Sequence, residues 1–203
     1  MIGLKILLLV VGSYLLGSVN GSIALSKLLG RDDVRGHGSG NAGATNMARV
    51  YGLSAGLLTL AFDILKALLV AWLAERLLGD VGLAIGGLAC LLGHCFPVFH
   101  NFKGGKGIAV GAALGYAIDW RVLLAIALVF FIVAFASKKV SLGSVCAAVT
   151  VTIASLVFGV STPKLILAVC GMCIVLFQHR ENIKRLLRGT EPDFKAAGTR
   201  DEK

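Results

Sequence analysis

Residues 107–136 read GIAVGAALGYAIDWRVLLAIALVFFIVAFA. This stretch is either one long apolar helix or two short ones parted at Asp119, Trp120 and Arg121. A bilayer core of about 30 Å takes roughly 20 helical residues. An aspartate and an arginine flanking a tryptophan are what a turn at the membrane–water interface presents, with the indole as anchor. Two helices are therefore expected here, and this choice sets the parity of the whole chain.

Working outward, further apolar runs fall at about 6–28, 53–74, 81–99, 140–160 and 163–178, beside 107–118 and 122–136. The sequence thus predicts an all-α membrane protein with seven transmembrane helices, some of them short or partly re-entrant. Charge supplies an independent test. With seven spans, one face receives fourteen basic residues: Arg31, Arg35, Arg49, Lys103, Lys106, Lys138, Lys139 and seven of the tail. The other face receives four, Lys5, Arg76, Arg121 and Lys164, while Lys27 and Lys66 lie within spans. Fusing 107–136 would move nine of the fourteen to the opposite face. The positive-inside tendency then places the N-terminus outside and the C-terminus in the cytoplasm.

Composition agrees. Of 203 residues, 57% are hydrophobic and 15% charged, and mean hydropathy is +0.85. A soluble domain carries about 25% charged residues, so a water-soluble globule is excluded. Glycine is frequent (26) and proline scarce (3), which suits helices packed closely through small residues. The net charge of +9 in so apolar a chain reads as topology, anionic lipid and anionic substrate, not nucleic acid. The five cysteines (90, 95, 146, 170, 173) all lie in apolar stretches and read as small hydrophobes, the Cys170/Cys173 spacing included. The first run is too long for a signal-peptide core, and Ser18, Asn20 and Ser22 stand where a cleavage site should follow. It reads as a retained span. No internal repeat is visible.

The polar, glycine-rich segments 31–52, 100–107, 137–144 and 179–192 all fall on the cytoplasmic side of this topology, so the chemistry belongs at the inner surface. Three of them carry it. In GHGSGNAGATN (36–46), closely spaced glycines expose backbone N–H groups to an anion. Ser39, Gly40, Asn41, Thr45 and Asn46 supply further donors, and Arg49 offers a bidentate fork to phosphate. The bland alternative is a flexible or helix-capping loop, which glycines alone would favour. In FKGGKG (102–107), Gly104, Gly105, Lys106 and Gly107 precede an apolar helix and suit an anion cradle at a helix N-terminus, against the alternative of a plain basic anchor. It is not a Walker A loop, because Gly107 stands where that motif needs Ser or Thr. In HRENI (179–183), His179 and Asn182 are three apart and share a helix face. Histidine suits proton transfer near neutrality, although a lone interfacial histidine often has no role. Ser141 and Ser144, one turn apart, are placed to add donors to the same cavity. Residues Arg180–Arg188 read as a short interfacial helix, stopped by Gly189 and Pro192. Asp63 and Lys66, three apart inside a span, are expected to pair as structure. No His/Cys/Asp cluster has metal-ligand spacing.

These three segments, in this order and over the full chain length, resemble the motifs of the bacterial integral-membrane acyl-phosphate:glycerol-3-phosphate acyltransferases. The resemblance implies one acyltransferase domain over 1–203, with 179–203 as cytoplasmic interfacial helix and tail, in the bacterial inner membrane. It implies acyl phosphate and glycerol 3-phosphate as substrates, membrane lipid as surroundings and no cofactor. The product would be lysophosphatidic acid, in the first acylation of phospholipid biosynthesis. On this reading His179 orients or deprotonates the glycerol hydroxyl, with Asn182 fixing it, and a substrate phosphate is the alternative base. The rival function class is an organic-phosphate membrane carrier, disfavoured by the nearly empty outer loops.

Overall fold

A long apolar run in lipid has to satisfy its own backbone polar groups, and the helix does this within one segment. The computed structural model describes residues 2–194. Nine α-helices lie among them: α1 (Ile2–Ser18), α2 (Gly21–Leu28), α3 (Ala44–Tyr51), α4 (Leu53–Cys95), α5 (Ile108–Ile118), α6 (Trp120–Ser137), α7 (Val140–Val157), α8 (Thr162–Gln178) and α9 (Arg180–Leu187). The tail cations Lys195, Arg200 and Lys203 fall outside the described residues.

The expected break at 119–121 is present. Asp119 is extended, and its carboxylate accepts the Arg121 N–H and caps α6. The run 6–28 is not one rod: it divides at Val19–Asn20, where α1 and α2 meet at 46°. The polar connection expected at 75–80 shrinks to Leu78 and Gly79, the two non-helical residues inside α4. There α4 folds back on itself, so that a Cβ on Gly86 would stand 2.7 Å from that of Ala74. Among the described residues, α4, α6 and α7 are long and apolar enough to cross a bilayer. The number becomes five if the bent pairs α1–α2 and α8–α9 each count as one span. α5 is apolar but has only 11 residues, roughly 16 Å of helix.

Helix α1 lies against the second arm of α4, where small residues let the backbones meet. A Cβ on Gly17 would come within 2.3 Å of the Cys90 carbonyl, and one on Gly93 within 2.2 Å of that of Tyr14. The core then runs through Leu83, Leu91, Val110, Leu114, Val122 and Leu167 on α4, α5, α6 and α8. Outward faces stay apolar, as at Leu7, Leu58, Leu65, Phe135 and Val157, which is what lipid requires.

One polar cluster sits inside this apolar bundle, and it pairs as expected. The Lys66 ammonium meets Asp63 Oδ1 at 2.8 Å and donates to the carbonyls of Gly17 (3.1 Å) and Val19 (2.7 Å). It also lies 3.2 Å from His94 Nδ1, which in turn stands 3.6 Å from Asp63 Oδ1. Asp63 in turn accepts the Gly21 N–H. Both arms of α4 and the α1–α2 break are thereby tied at one point. Removing one member of a buried pair typically costs about 3–5 kcal/mol. Asp63→Leu should therefore lower thermal stability in detergent by that order. Asp63→Leu with Lys66→Met should recover only part of the loss, because the Gly17 and Val19 carbonyls and the Gly21 N–H lose their partners.

Candidate active site

The glycine-rich segment 36–43 is shaped by one side chain. Asn46, in the first turn of α3 and 1% exposed, accepts the Ser39 N–H at 2.8 Å through Oδ1. Its amide nitrogen lies 3.0–3.1 Å from the carbonyls of Val34, His37 and Asn41. Asn20, buried at the α1–α2 break, caps α2 and donates to the Ala42 carbonyl, which fixes the far side of the loop. Asn46, expected from the sequence as a donor toward a ligand, lines the main cavity while its amide is engaged with the loop's own backbone. Arg49, at the other end of α3, lines the main cavity, and its guanidinium has no hydrogen-bond partner among the described residues.

The second loop turns back on the end of α4. The N–H groups of Gly104 and Gly105 donate to the Cys95 and His94 carbonyls, which directs Lys106 inward. A Cβ on Gly105 would meet His94 Nε2 at 2.2 Å, so this position packs against His94. Gly104 and Gly40 line a separate surface groove with Asp33 and Lys103. These three glycines, expected from the sequence as ligand contacts, shape the loops and are not among the residues that line the main cavity. Gly107 does line it, as the left-handed N-cap of α5 (φ 83°).

The third segment bends by 62° between α8 and α9. His179 and Asn182, both buried, point into the same cavity. His179 Nδ1 stands 2.8 Å from the Val175 carbonyl. A carbonyl only accepts, so Nδ1 carries the proton and Nε2 keeps its lone pair. Asn182 accepts from the Lys106 ammonium and donates to Glu191 at 2.7 Å. Glu191 also accepts from Ser141 (2.6 Å) and Arg185 (2.7 Å). Ser144 donates to the Val140 carbonyl of its own helix while lining the cavity. Arg185 was legible only as one of several tail cations. Glu191 carried no signal beyond being an acid among bases, next to Pro192.

Residues from all three segments meet in one cavity of about 550 Å³. Ser39, Asn41, Thr45, Arg49, Lys106, Ser141, His179 and Arg185 make its polar end, and Ile118, Leu123, Ile126, Val151 and Leu167 its apolar end. The two ends lie about ten residues apart along α5, α7 and α8, roughly 15 Å of helix. The cavity thus has the polarity to suit an amphiphile with an anionic head. Burial lowers the Lys106 pKa to about 8, helped by the nearby charges of Arg185 and Arg49 and opposed by Glu191. Burial likewise lowers that of His179 to about 4, and the Lys106 charge acts in the same direction. The imidazole is neutral at pH 7. Among the described residues no three His, Cys, Asp or Glu side chains converge as metal ligands.

Comparison with known proteins follows the same geometry. Residues 7–189 match the family model described as glycerol-3-phosphate acyltransferase. A protein of that name from Finegoldia magna is 42% identical, covering 93% of this chain and 96% of its own. Another, from Thermoanaerobacter pseudethanolicus, is 39% identical over 88% and 90%. Among solved structures, the integral membrane glycerol 3-phosphate acyltransferase PlsY in its glycerol 3-phosphate form superposes with a TM-score of 0.89. It is 38% identical and covers 94% of this chain and 96% of that one. Its lysophosphatidic acid form gives 0.88 at 37% identity.

The Lys106 pKa sets a measurable pH dependence. Inorganic phosphate should bind the detergent-solubilised protein more weakly as pH rises above about 8, where the ammonium loses its proton. Calorimetric titration should show that inflection, and Lys106→Arg should remove it, because a guanidinium stays charged throughout.

Proposed function

The chain belongs to the glycerol-3-phosphate acyltransferase family of integral membrane proteins, and we propose its full reaction as transfer of a fatty acyl group from acyl phosphate to the 1-hydroxyl of glycerol 3-phosphate. The hydroxyl oxygen bonds to the acyl carbon, the carbon–oxygen bond to phosphate breaks, and phosphate leaves with that electron pair. Lysophosphatidic acid and phosphate are the products, in the first acylation of phospholipid biosynthesis. The observation that carries this reading is the cavity itself, cationic and donor-rich at one end and hydrocarbon-lined at the other. Both substrates bear phosphate, and one bears a fatty chain.

Acyl phosphate is an activated mixed anhydride, so no covalent enzyme intermediate is required. The residues have to position two anions and stabilise developing charge. Arg49 and Lys106 are assigned to the phosphates. Ser39, Asn41, Thr45, Ser141 and Ser144 form the polar wall around them, and the Gly107 turn brings Lys106 to the mouth of α5. Asn46, Gly40, Gly104 and Gly105 act by holding the two loops. His179 presents Nε2 as an acceptor to the glycerol hydroxyl, and Asn182 holds the same oxygen's surroundings together with Lys106. A general base works best with a pKa near the operating pH. At about 4 the imidazole is a weak base, which supports a role for His179 in orienting the hydroxyl before reaction; as the new bond forms, the hydroxyl proton turns from Nε2 to a substrate phosphate oxygen, which takes it up.

The topology we propose has seven crossings, the two arms of α4 counting separately, with the N-terminus outside and the C-terminus in the cytoplasm of a bacterium's inner membrane. Its support is the fourteen-to-four distribution of basic residues. The active site then opens to the cytoplasm, where polar glycerol 3-phosphate reaches it. Reporter fusions at 103–107 and 137–140 should both report cytoplasmic; a split result overturns the topology.

The decisive activity measurement is phosphate release by purified protein, expected only with acyl phosphate and glycerol 3-phosphate together. Arg49→Ala should raise KM roughly ten- to hundred-fold, as loss of a charge-assisted contact of about 1.5–3 kcal/mol requires, and Arg49→Lys should rescue poorly. His179→Gln, which keeps a donor and an acceptor, should retain most of kcat, whereas His179→Ala should lose much of it. A loss of about 10²-fold or more in the glutamine variant, with folding intact, would make His179 the base instead.

A further inference from the structure

Three groups at the polar end of the cavity are occupied by a part of the chain itself. The Glu191 carboxylate is 8% exposed. It accepts hydrogen bonds from Ser141 Oγ at 2.6 Å, Asn182 Nδ2 at 2.7 Å and Arg185 Nε at 2.7 Å. Lys106 reaches the same Asn182 from the other side. A planar anion thus fills donors of the kind that hold a phosphate. The segment bearing it is strapped down beyond α9. Gly189 turns the chain with φ 68°, the Phe194 N–H donates to the Lys138 carbonyl at 3.0 Å, and Lys139 pairs with Asp193 at 2.7 Å. Glu191 and Pro192 therefore close over the cavity from the turn between α6 and α7.

We propose that Glu191 is a resident anion that competes with a substrate phosphate for these donors and is displaced when substrate enters, which makes it a specificity-determining residue for the reaction. The inference rests on the reading of this cavity as the phosphate site. Its physical basis is charge balance. Partly buried cations gathered at one site repel one another, so an internal carboxylate helps to keep Lys106, Arg185, Ser141 and Asn182 assembled. A phosphate dianion brings more charge and more acceptor oxygens than one carboxylate, and it displaces Glu191. Neutral glycerol brings neither. Burial works against ionisation of Glu191, and the hydrogen bonds from Ser141, Asn182 and Arg185 outweigh it, holding the pKa below the ordinary glutamate range. The guard therefore stays charged at the pH of the reaction.

The test is steady-state kinetics and phosphate titration on the full-length, detergent-purified enzyme. Glu191→Gln removes the competing charge and keeps the shape. It should lower KM for glycerol 3-phosphate and tighten inorganic phosphate binding by about tenfold, with kcat changed much less. Lys139→Ala loosens the strap without touching the seat, and it should shift KM in the same direction by a smaller factor. A purely structural role predicts the opposite, namely raised KM, lowered kcat and lowered thermal stability in both variants; that result, or an unchanged KM in both, overturns the proposal. Lys106→Ala separates this from failure of the site reading. If it weakens phosphate binding while Glu191→Gln does not tighten it, only the guard falls. If it leaves phosphate binding untouched, the seat is not a phosphate site and both readings fall.

Discussion

A charge inside an apolar bundle has to be paired where it stands, and the Asp63–Lys66 pair imposes that condition on four parts of the chain. The two side chains are 1% and 5% exposed. Leaving either alone in so poor a dielectric would cost several kcal/mol, so the groups around them are fixed in register. Lys66 needs carbonyl acceptors, and α1 supplies them by ending at Gly17–Val19, where the helix leaves carbonyls unbonded. Asp63 needs a donor, and α2 supplies one by beginning at Gly21. The bend between α1 and α2 is the form that satisfies both. It also places Asn20 to hold the Ala42 carbonyl and hence the glycine-rich loop. His94 carries the same constraint to the second arm of α4, whose end receives the backbone of Gly104 and Gly105. Two loops far apart in sequence thus meet because a single ion pair forbids their supporting helices to slide.

The proposed reaction needs the polar site to be strongly cationic, and the structure contains the consequence of that need. Arg49, Lys106 and Arg185 share one cavity end, and the Lys106 pKa falls to about 8 as burial and its cationic neighbours oppose its charge. A lysine so poised binds an anion with a larger change in its own electrostatic energy than a surface lysine does. Asn182 links this cation to a carboxylate, so Lys106, Asn182, Glu191, Ser141 and Arg185 form one continuous network. Each member is oriented by the next. That is the preorganisation which electrostatic catalysis requires.

How much of this the sequence disclosed depends on the range of the interaction. The Asp119–Arg121 break and the pairing of Asp63 with Lys66 are local, and both were readable. The expected binding residues Ser39, Asn41, Thr45, Arg49, Lys106, Gly107, Ser141, Ser144, His179 and Asn182 all line one cavity. Glycine-rich loops and a cation mark such a place without any knowledge of the fold. The sequence said least where a residue's partner is decided by tertiary geometry. Asn46 is an amide like Asn41 in sequence, yet it lies at the start of α3 beneath the loop, close to three carbonyls. Gly104 and Gly105 fit an anion cradle on paper, but their N–H groups face the end of α4. The break between the runs 53–74 and 81–99 was readable too, but not its shortness: helix continues on either side of Leu78–Gly79. Glu191 was silent for a similar reason: a reversal of the chain at Gly189 brings it back, and nothing near it in sequence announces its partners.

The short helix α5 connects these polar arrangements to the membrane. At roughly 16 Å it spans only about half a bilayer core, yet it supplies both Gly107 at the head of the cavity and Ile118 at its far end. A longer helix would carry the apolar lining deeper than the cavity needs. On the opposite wall, α6 buries only Val122 and Ile126. Phe131 lines the cavity while remaining 54% exposed, so the apolar end is open along the α6 face. An acyl chain seated there keeps its reacting carbon at the polar loops and its tail against hydrocarbon. On the proposed reaction, a product leaving sideways would wet no apolar surface. The polar substrate has the other route, past Arg49 and the glycine-rich loop. Separate entrances for head and tail follow from one geometric fact: the cationic seat lies where α5, α7 and α8 begin or end, and the lipid-facing opening lies along their length.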